Sequence, residues 1–285
     1  MKVPKRLQPL VDDGLIDEVL SRLMSGKEAD IFIVRCGADV RCAKVYKDAA
    51  KRSFKKAAQY QEGRKVRSGR RARAMEKRSS YGRQQQEEIW QNAEVDALSR
   101  IASAGVRVPE VYGCIDGVLL MELVTDDAGD VAPRLDDVTM SAEQALEDHA
   151  VMMHYVRLML CAGLVHGDLS EFNVLVDAYG PVIIDLPQAV DAAANNNAEA
   201  MLARDVNNMT RYYAEFAPTL LSTRYAEEMW ALYEEGELKP ETELTGLFEG
   251  PADGADVDAV MEEIKAVMQE ERERQERLQD AEQEA

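Results

Sequence analysis

The sequence lacks the features of membrane, secreted and zinc-binding proteins. No apolar run approaches the roughly 18 to 20 residues that a transmembrane helix needs, and the basic start of the chain is not followed by the apolar stretch of a signal peptide. The four cysteines have no zinc-ligand spacing, which favours reduced thiols in packing positions: Cys36, Cys42, Cys114 and Cys161. We therefore expect a cytoplasmic protein that does not bind membranes.

The charged residues are unevenly distributed behind a net charge of −19. Residues 41–83 contain 16 Lys and Arg against 3 Asp and Glu, whereas residues 234–285 contain 5 against 18. A basic segment of this density is typical of a surface that contacts the phosphate backbone of RNA through counterion release. Two solvated charged faces explain the same pattern equally well, so both interpretations stay open.

The first half of the chain predicts an antiparallel sheet with one helix. Short β-rich runs are separated by turn residues, and the Asp116-Gly117 pair is typical of a hairpin turn. Residues 48–83 have no clear amphipathic period, which predicts partly ordered helix with a mobile loop. The predicted strands are residues 15–23, 30–35, 40–46, 111–112 and 118–123, with a helix at 84–104.

The second half predicts helices around a short hairpin. Ser141 and Gln144 fit a capping box, and the apolar positions behind it fall on one helical face: Leu146, Met153, Val156 and Leu160. The other predicted elements are strands at 174–176 and 182–186, a helix at 199–216 and a weak helix near 257–268.

This order of elements indicates an α+β, two-lobed fold with a seam near residue 125. The expected parts are a β-rich N-terminal lobe at 1–124, a helical C-terminal lobe at 125–235 and an acidic, partly helical or disordered tail at 236–285.

Residues 166–173 carry the pattern of a phosphotransfer catalytic loop, in which an Asp is followed after four residues by an Asn. The carboxylate accepts the proton of the attacking hydroxyl, while the amide oxygen holds magnesium on the phosphates. The pattern predicts Asp168 as catalytic base and Asn173 as metal ligand.

The second metal ligand is predicted at Asp185, which ends an apolar strand. If the preceding hairpin is centred on Tyr179, Asn173 and Asp185 face each other across its two strands. Two hard oxygen ligands suit Mg²⁺, which shares its shell with water and phosphates.

Lys44 and Glu94 are predicted to form an ion pair. Strand alternation places Lys44 on an apolar face, and helical periodicity places Glu94 in the apolar stripe of the 84–104 helix. Each charge would be costly to bury alone, so each explains the other. In kinases such a pair fixes the lysine on the α- and β-phosphates.

Three motifs in chain order resemble the RIO family of atypical protein kinases. Residues 25–32 (SGKEADIF) are similar to the family's nucleotide loop, residues 164–173 (LVHGDLSEFN) to its catalytic loop, and residues 183–190 (IIDLPQAV) to its metal-binding segment. Arg204-Asp205-Val206-Asn207-Asn208 resembles its helical R-D-x-x-N motif. The resemblance covers about residues 11–216.

The resemblance implies a trimmed kinase fold without an activation segment, and ATP with Mg²⁺, or alternatively Mn²⁺, as cofactors. It implies a catalytic Asp168, metal ligands Asn173 and Asp185, and nucleotide contacts at Ser25, Gly26, Lys27, Lys44, Glu94, Met121, Glu122 and Val124. Some family members are ATPases that form a phospho-aspartate at the metal-binding Asp, which implies Asp185 as phospho-acceptor.

The resulting expectation is a serine/threonine-type protein kinase, including autophosphorylation, or an ATPase. A small-molecule kinase of the aminoglycoside or choline type is an alternative, because Gly167 departs toward the H-G-D loop of those enzymes. A non-catalytic docking module is the other alternative. Motifs that bind only ATP identify neither the protein substrate nor a ribosomal or RNA contact of segment 41–83.

Overall fold

The computed structural model describes residues 3–26, 29–47 and 93–248. The basic segment beyond residue 47, Lys27 and the predicted weak helix near 257–268 lie outside the described residues. Residues up to Leu247 form one compact unit.

Five antiparallel strands form the sheet of the N-terminal lobe in the order β1-β2-β3-β5-β4. They are β1 Glu18–Ser25, β2 Ala29–Cys36, β3 Asp39–Tyr46, β4 Val111–Ile115 and β5 Val118–Glu122. These confirm the predicted strands, although β1 starts three residues later than expected. Instead, the backbone N–H groups of Leu15 and Ile16 donate hydrogen bonds to the carbonyl of Leu10. Leu10 belongs to a short helix that was not predicted, α1 Gln8–Asp12.

The predicted turn between β4 and β5 is present. Asp116 and Gly117 both have positive φ, 49° and 76°, as a two-residue hairpin turn of type I′ requires. The turn fixes the pairing of Ile115 with Val118.

Strand β3 separates two apolar clusters because its side chains alternate between the faces of the sheet. Ala43 and Val45 pack with α1 on the outer face. Tyr46 packs on the inner face against a helix, α2, described from residue 93 to 103, through its buried Leu98.

The C-terminal lobe is built on three helices: α3 Ala142–Cys161, α4 Ala198–Ala214 and α5 Tyr225–Glu234. Ser141 caps α3 by accepting a hydrogen bond from the backbone N–H of Gln144 at 3.1 Å, but the Gln144 side chain donates to Asp148, so only half of the predicted capping box forms. The buried face of α3 includes three of the predicted positions: Met153, Val156 and Leu160. Leu146 is 44% exposed, because the buried face in that turn contains Ala145 and His149.

Two small strand pairs connect these helices. They are β6 Leu164–Val165 with β9 Val190–Asp191, and β7 Val174–Asp177 with β8 Gly180–Ile183. The sequence predicted the second pair but neither β6 nor β9. Helix α4 ends at Ala214, two residues before the predicted end, and four of its apolar residues are buried: Leu202, Val206, Met209 and Tyr213.

The chain after α5 folds back onto that helix. Glu228 accepts hydrogen bonds from Thr245 and Gly246. None of the described helices is both long and apolar enough to cross a membrane. The division at residues 124 and 235 stays a prediction.

Candidate nucleotide and metal site

A cleft of about 490 Å³ brings most of the predicted site residues together. Its volume lies within the range of roughly 300 to 1,000 Å³ that is typical of ligand pockets. The predicted residues that line it are Gly26, Lys44, Glu94, Met121, Glu122, Val124, Asn173 and Asp185. Ser25 and Asp168 are not part of this lining.

The predicted ion pair between strand β3 and helix α2 is present. Lys44 Nζ lies 2.7 Å from Glu94 Oε1, and both side chains are almost fully buried. Glu94 also accepts a hydrogen bond from the hydroxyl of Tyr46 at 2.5 Å. Because removing one partner would leave an uncompensated buried charge, at a cost of about 3 to 5 kcal/mol, the pair is a fixed feature of the cleft.

Lys44 also contacts Asp185, at 2.6 Å from its Oδ1 atom. Burial disfavours the charged lysine, but Asp185 and Glu94 outweigh it and raise the pKa of Lys44. Burial would likewise raise the pKa of Asp185, yet the Lys44 ammonium holds it below its usual value. Each group therefore favours the charged form of the other inside the cleft.

The hairpin that carries the predicted metal ligands has a register one residue away from the expected one. Val174 pairs with Ile183 and Asp177 with Gly180, so Asn173 receives a hydrogen bond from Ile184 N–H at 3.0 Å. The prediction that Asn173 directly faces Asp185 was wrong. Asp185 follows the ladder with a φ of 63°, a left-handed conformation that is uncommon outside glycine.

The catalytic loop places Asp168 at an exposed position beside the cleft. Asn173 Nδ2 donates to the Asp168 carbonyl at 2.7 Å, which turns the amide oxygen of Asn173 away from that carbonyl. The carboxylate of Asp168 accepts a hydrogen bond at 3.1 Å from Gln188, a residue of the cleft lining. Asp168 and Asn173 are thus held together, as the spacing predicted.

Buried His166 connects this loop to the predicted metal-binding segment. Its Nδ1 atom accepts from the Asp168 N–H at 3.3 Å, so its Nε2 atom donates to the Ile184 carbonyl at 3.1 Å. Burial lowers the pKa of His166, which keeps the ring neutral and preserves this donor and acceptor arrangement.

The residues that resemble a helical R-D-x-x-N motif hold the catalytic loop by hydrogen bonds, an arrangement called here the clamp. The sequence showed the motif but assigned it no role. From helix α4, Asp205 accepts the N–H groups of Gly167 and Leu169 at 2.7 and 3.0 Å. Arg204 donates to the Gly167 carbonyl, and Asn208 donates to the Leu169 carbonyl at 3.0 Å. Burial raises the pKa of Asp205 to about 7 although the two N–H groups and Arg204 favour its ionised form.

The predicted nucleotide loop is held by hydrogen bonds to residues outside the cleft lining. Ser25 Oγ donates to Asp30 at 2.5 Å, and Lys47 Nζ donates to the Gly26 carbonyl at 2.6 Å. The hydroxyl of Ser25 is therefore engaged with β2 and does not line the cleft. Sequence reasoning missed Lys47, whose contact links β3 to this loop.

The comparisons with known proteins agree with this geometry. The RIO domain matches residues 30–226. The chain belongs to the RIO family. The RIO-type serine/threonine-protein kinase Rio1 of Haloferax volcanii is 35% identical over 205 residues, which cover 72% of this chain and 66% of that protein. Human serine/threonine-protein kinase RIO1 is 28% identical over 216 residues, which cover 74% of this chain and 36% of that protein.

Among solved structures, the RIO fold is matched by the Rio2 kinase–ADP/Mg²⁺–phosphoaspartate complex from Chaetomium thermophilum. That structure has a TM-score of 0.57 and 22% sequence identity, covering 83% of this chain and 68% of the other. The two-lobed RIO kinase fold expected from the sequence is confirmed. The curated relatives extend well beyond the aligned parts. In the human protein the aligned part is only about a third of the full length.

The donor atoms fit the magnesium ion that a RIO site implies. The described residues contain no cluster of three or more His, Cys, Asp or Glu side chains suited to a metal. Asn173 and Asp185 instead offer hard oxygen atoms in one cleft, and Mg²⁺ commonly takes one or two protein ligands and completes its shell with phosphates and water. The donor set thus suits a metal that arrives with a nucleotide.

Replacing Asp205 with Asn is expected to lower kcat roughly tenfold or more while changing the affinity for nucleotide much less. An amide keeps one acceptor but turns its NH₂ group toward one of the two backbone donors, which loosens the loop that holds Asp168. Steady-state kinetics and direct nucleotide binding test this split. An equal loss in kcat and affinity, or none in either, would contradict a clamp of the catalytic loop.

Proposed function

We propose that this chain is an ATP- and magnesium-dependent phosphotransfer enzyme. It phosphorylates Ser or Thr hydroxyls of protein, itself included, or hydrolyses ATP through a phospho-aspartate at Asp185. The observation that carries the proposal is the position of Lys44, which contacts both Glu94 and Asp185 in the cleft that Asn173 also lines.

Different residues of the cleft would contact the adenine, the phosphates and the metal ion of ATP. The backbone of Glu122 and Val124, beside Met121, would hold the adenine, and Lys44 would contact the phosphates. Asn173 and Asp185 would hold Mg²⁺, which would supply positive charge to the phosphate oxygens.

The kinase reaction is a direct transfer. The acceptor hydroxyl oxygen bonds to the γ-phosphorus as the bond to the bridging oxygen breaks, ADP leaves, and the hydroxyl proton passes to the carboxylate of Asp168. In the ATPase reaction a carboxylate oxygen of Asp185 takes the γ-phosphoryl group, and water then hydrolyses the acyl phosphate. The phosphoaspartate of the Rio2 complex supports this second route.

The backbone explains the feature that suggested a small-molecule kinase. Gly167 has a φ of 81°, a conformation that glycine adopts without strain. The loop geometry therefore favours glycine at this position whatever the substrate, so Gly167 by itself does not favour an aminoglycoside or choline substrate. A protein acceptor or hydrolysis remains our proposal.

Radiolabelled γ-phosphate separates these activities. The protein is incubated with labelled ATP and Mg²⁺, and the label is located by mass spectrometry and tested for stability in acid and base. Acid-stable label on Ser or Thr supports the kinase, base-labile label on Asp185 supports the ATPase route, and no turnover of ATP would contradict both.

Two further proposals rest on the sequence. Contact of segment 41–83 with RNA or the ribosome follows from its charge, and a steep fall in RNA affinity with salt would support it. A cytoplasmic location is likewise a proposal, which fractionation of cells tests.

A further inference from the structure

Arg134 is a cation of the cleft to which the phosphotransfer pattern gives no role. It lies just before the 3₁₀ turn Leu135–Asp137, and a bridge to Leu175 fixes its backbone beside β7. Its side chain reaches the opposite lobe, where Nη2 lies 3.1 Å from the sulfur of Met24 on β1. The guanidinium therefore extends between the two lobes within the cleft lining.

Among the described residues of the lining, the charges leave Arg134 as the available cation. Lys44 is engaged with two carboxylates, and Glu122 is engaged by Arg107, which lies outside the lining. Within the described residues Arg134 forms no ion pair, and its contact, a thioether sulfur, is a weak acceptor. Four carboxylates line the cleft: Glu94, Glu122, Asp137 and Asp185. A polyanionic ligand entering this cleft needs a further positive group.

Arg134 contacts the residue before the predicted nucleotide loop and shares the cleft with the predicted metal ligands. Met24 directly precedes the predicted nucleotide loop at Ser25 and Gly26. On the other side, the predicted metal ligands Asn173 and Asp185 line the same cleft as Arg134. The guanidinium thus lies beside this loop, in a cleft that the predicted metal ligands also line.

We propose that Arg134 binds phosphate oxygens of the nucleotide, leaving the sulfur of Met24 when it does so. A planar guanidinium can form two parallel charge-assisted hydrogen bonds to a phosphate, which a thioether cannot match. Arg134 is then a determinant of nucleotide phosphorylation state, favouring ATP and ADP over adenosine. This inference rests on the proposed binding of ATP.

The test compares Arg134→Gln with the parent protein by calorimetry, using adenosine, ADP and ATP with Mg²⁺. Loss of charge-assisted hydrogen bonds is expected to weaken ATP binding about 10- to 100-fold. Adenosine binding is expected to change less than about twofold, and Arg134→Lys to recover part of the ATP affinity. Arg211→Gln, on the exposed side of α4, is the matched control and is expected to bind all three ligands normally.

The outcomes separate this inference from the proposed function. If the parent protein binds no ATP, the proposed function and the inference both fail. If the parent binds ATP and Arg134→Gln binds it equally well, only the inference fails. An equal loss of adenosine and ATP affinity also overturns it, because that result assigns Arg134 to closing the cleft. Met24→Leu supports phosphate binding if ATP affinity is retained or rises, and contradicts it if ATP affinity falls as in Arg134→Gln.

Discussion

Replacing Asp168 with Asn is expected to lower the rate of phosphotransfer by about 10² to 10⁴ while leaving ATP affinity nearly unchanged. General-base assistance contributes a factor of this size. The side chain is exposed and lies outside the lining of the cleft, so the nucleotide is held by other residues. Asn retains an acceptor oxygen for the hydrogen bond from Gln188, so the loop should keep its conformation.

Single-turnover kinetics measure the rate, and calorimetry with ATP and Mg²⁺ measures binding. Asp136→Asn is a suitable control because it removes a charge of the same sign from an exposed position outside the lining. Turnover of Asp168→Asn at the rate of the parent would exclude Asp168 as the base. A parallel loss of ATP affinity would indicate that Asp168 acts in binding.

The ion pair of Lys44 and Glu94 could be predicted because two local periodicities each placed a charge in an apolar setting. Strand alternation did so for Lys44 and the helical stripe did so for Glu94, and burial then required that they meet. The contact of Lys44 with Asp185 depends on the hairpin of the other lobe. No local pattern specified it.

The register of the hairpin shows where such reasoning fails. A centre at Tyr179 assumed an odd-numbered loop, whereas Asp177 pairs with Gly180 and leaves two residues in the turn. The Asp177 carboxylate accepts the Tyr179 N–H at 2.8 Å, a side-chain contact that stabilises the tight turn. A shift of one residue in register moves the side chains of a strand to the opposite face of the sheet. Asp185 lies beyond the paired residues and lines the cleft with a left-handed backbone conformation.

Contacts between distant segments were the least predictable. The clamp of Asp205 on Gly167 joins residues 38 positions apart, and Glu228 fastens the chain after α5 through contacts 17 and 18 positions away. The motif of the clamp was visible, but its partners are set by how α4 packs beside the catalytic loop. Packing of α3 likewise decided that Leu146 is exposed, although its spacing fits the apolar face, because Ala145 and His149 are the buried residues of that turn.

The predicted metal ligand gives a second large effect, because Asp185→Ala removes a negative oxygen ligand from the site. We expect Mg·ATP affinity to fall at least tenfold, equivalent to about 1.4 kcal/mol. Lys44 keeps its partner Glu94 in this variant, so the buried lysine remains paired and the fold should survive. Asp185→Ala also lacks the carboxylate that would accept a phosphoryl group, so acyl-phosphate label at position 185 should disappear.

Titration of ATP binding against Mg²⁺ concentration decides whether Asp185 acts through the metal. In the parent, affinity for ATP should rise with Mg²⁺, whereas in Asp185→Ala the curve should flatten. Without Mg²⁺ the variant should bind ATP at least as well as the parent, because a carboxylate that repels the phosphates is gone. Asp137→Ala, which removes another carboxylate of the lining, should retain the Mg²⁺ dependence. Asp185→Ala with the magnesium dependence of the parent would exclude Asp185 as a ligand, since a residue that only pairs with Lys44 has no reason to respond to the metal.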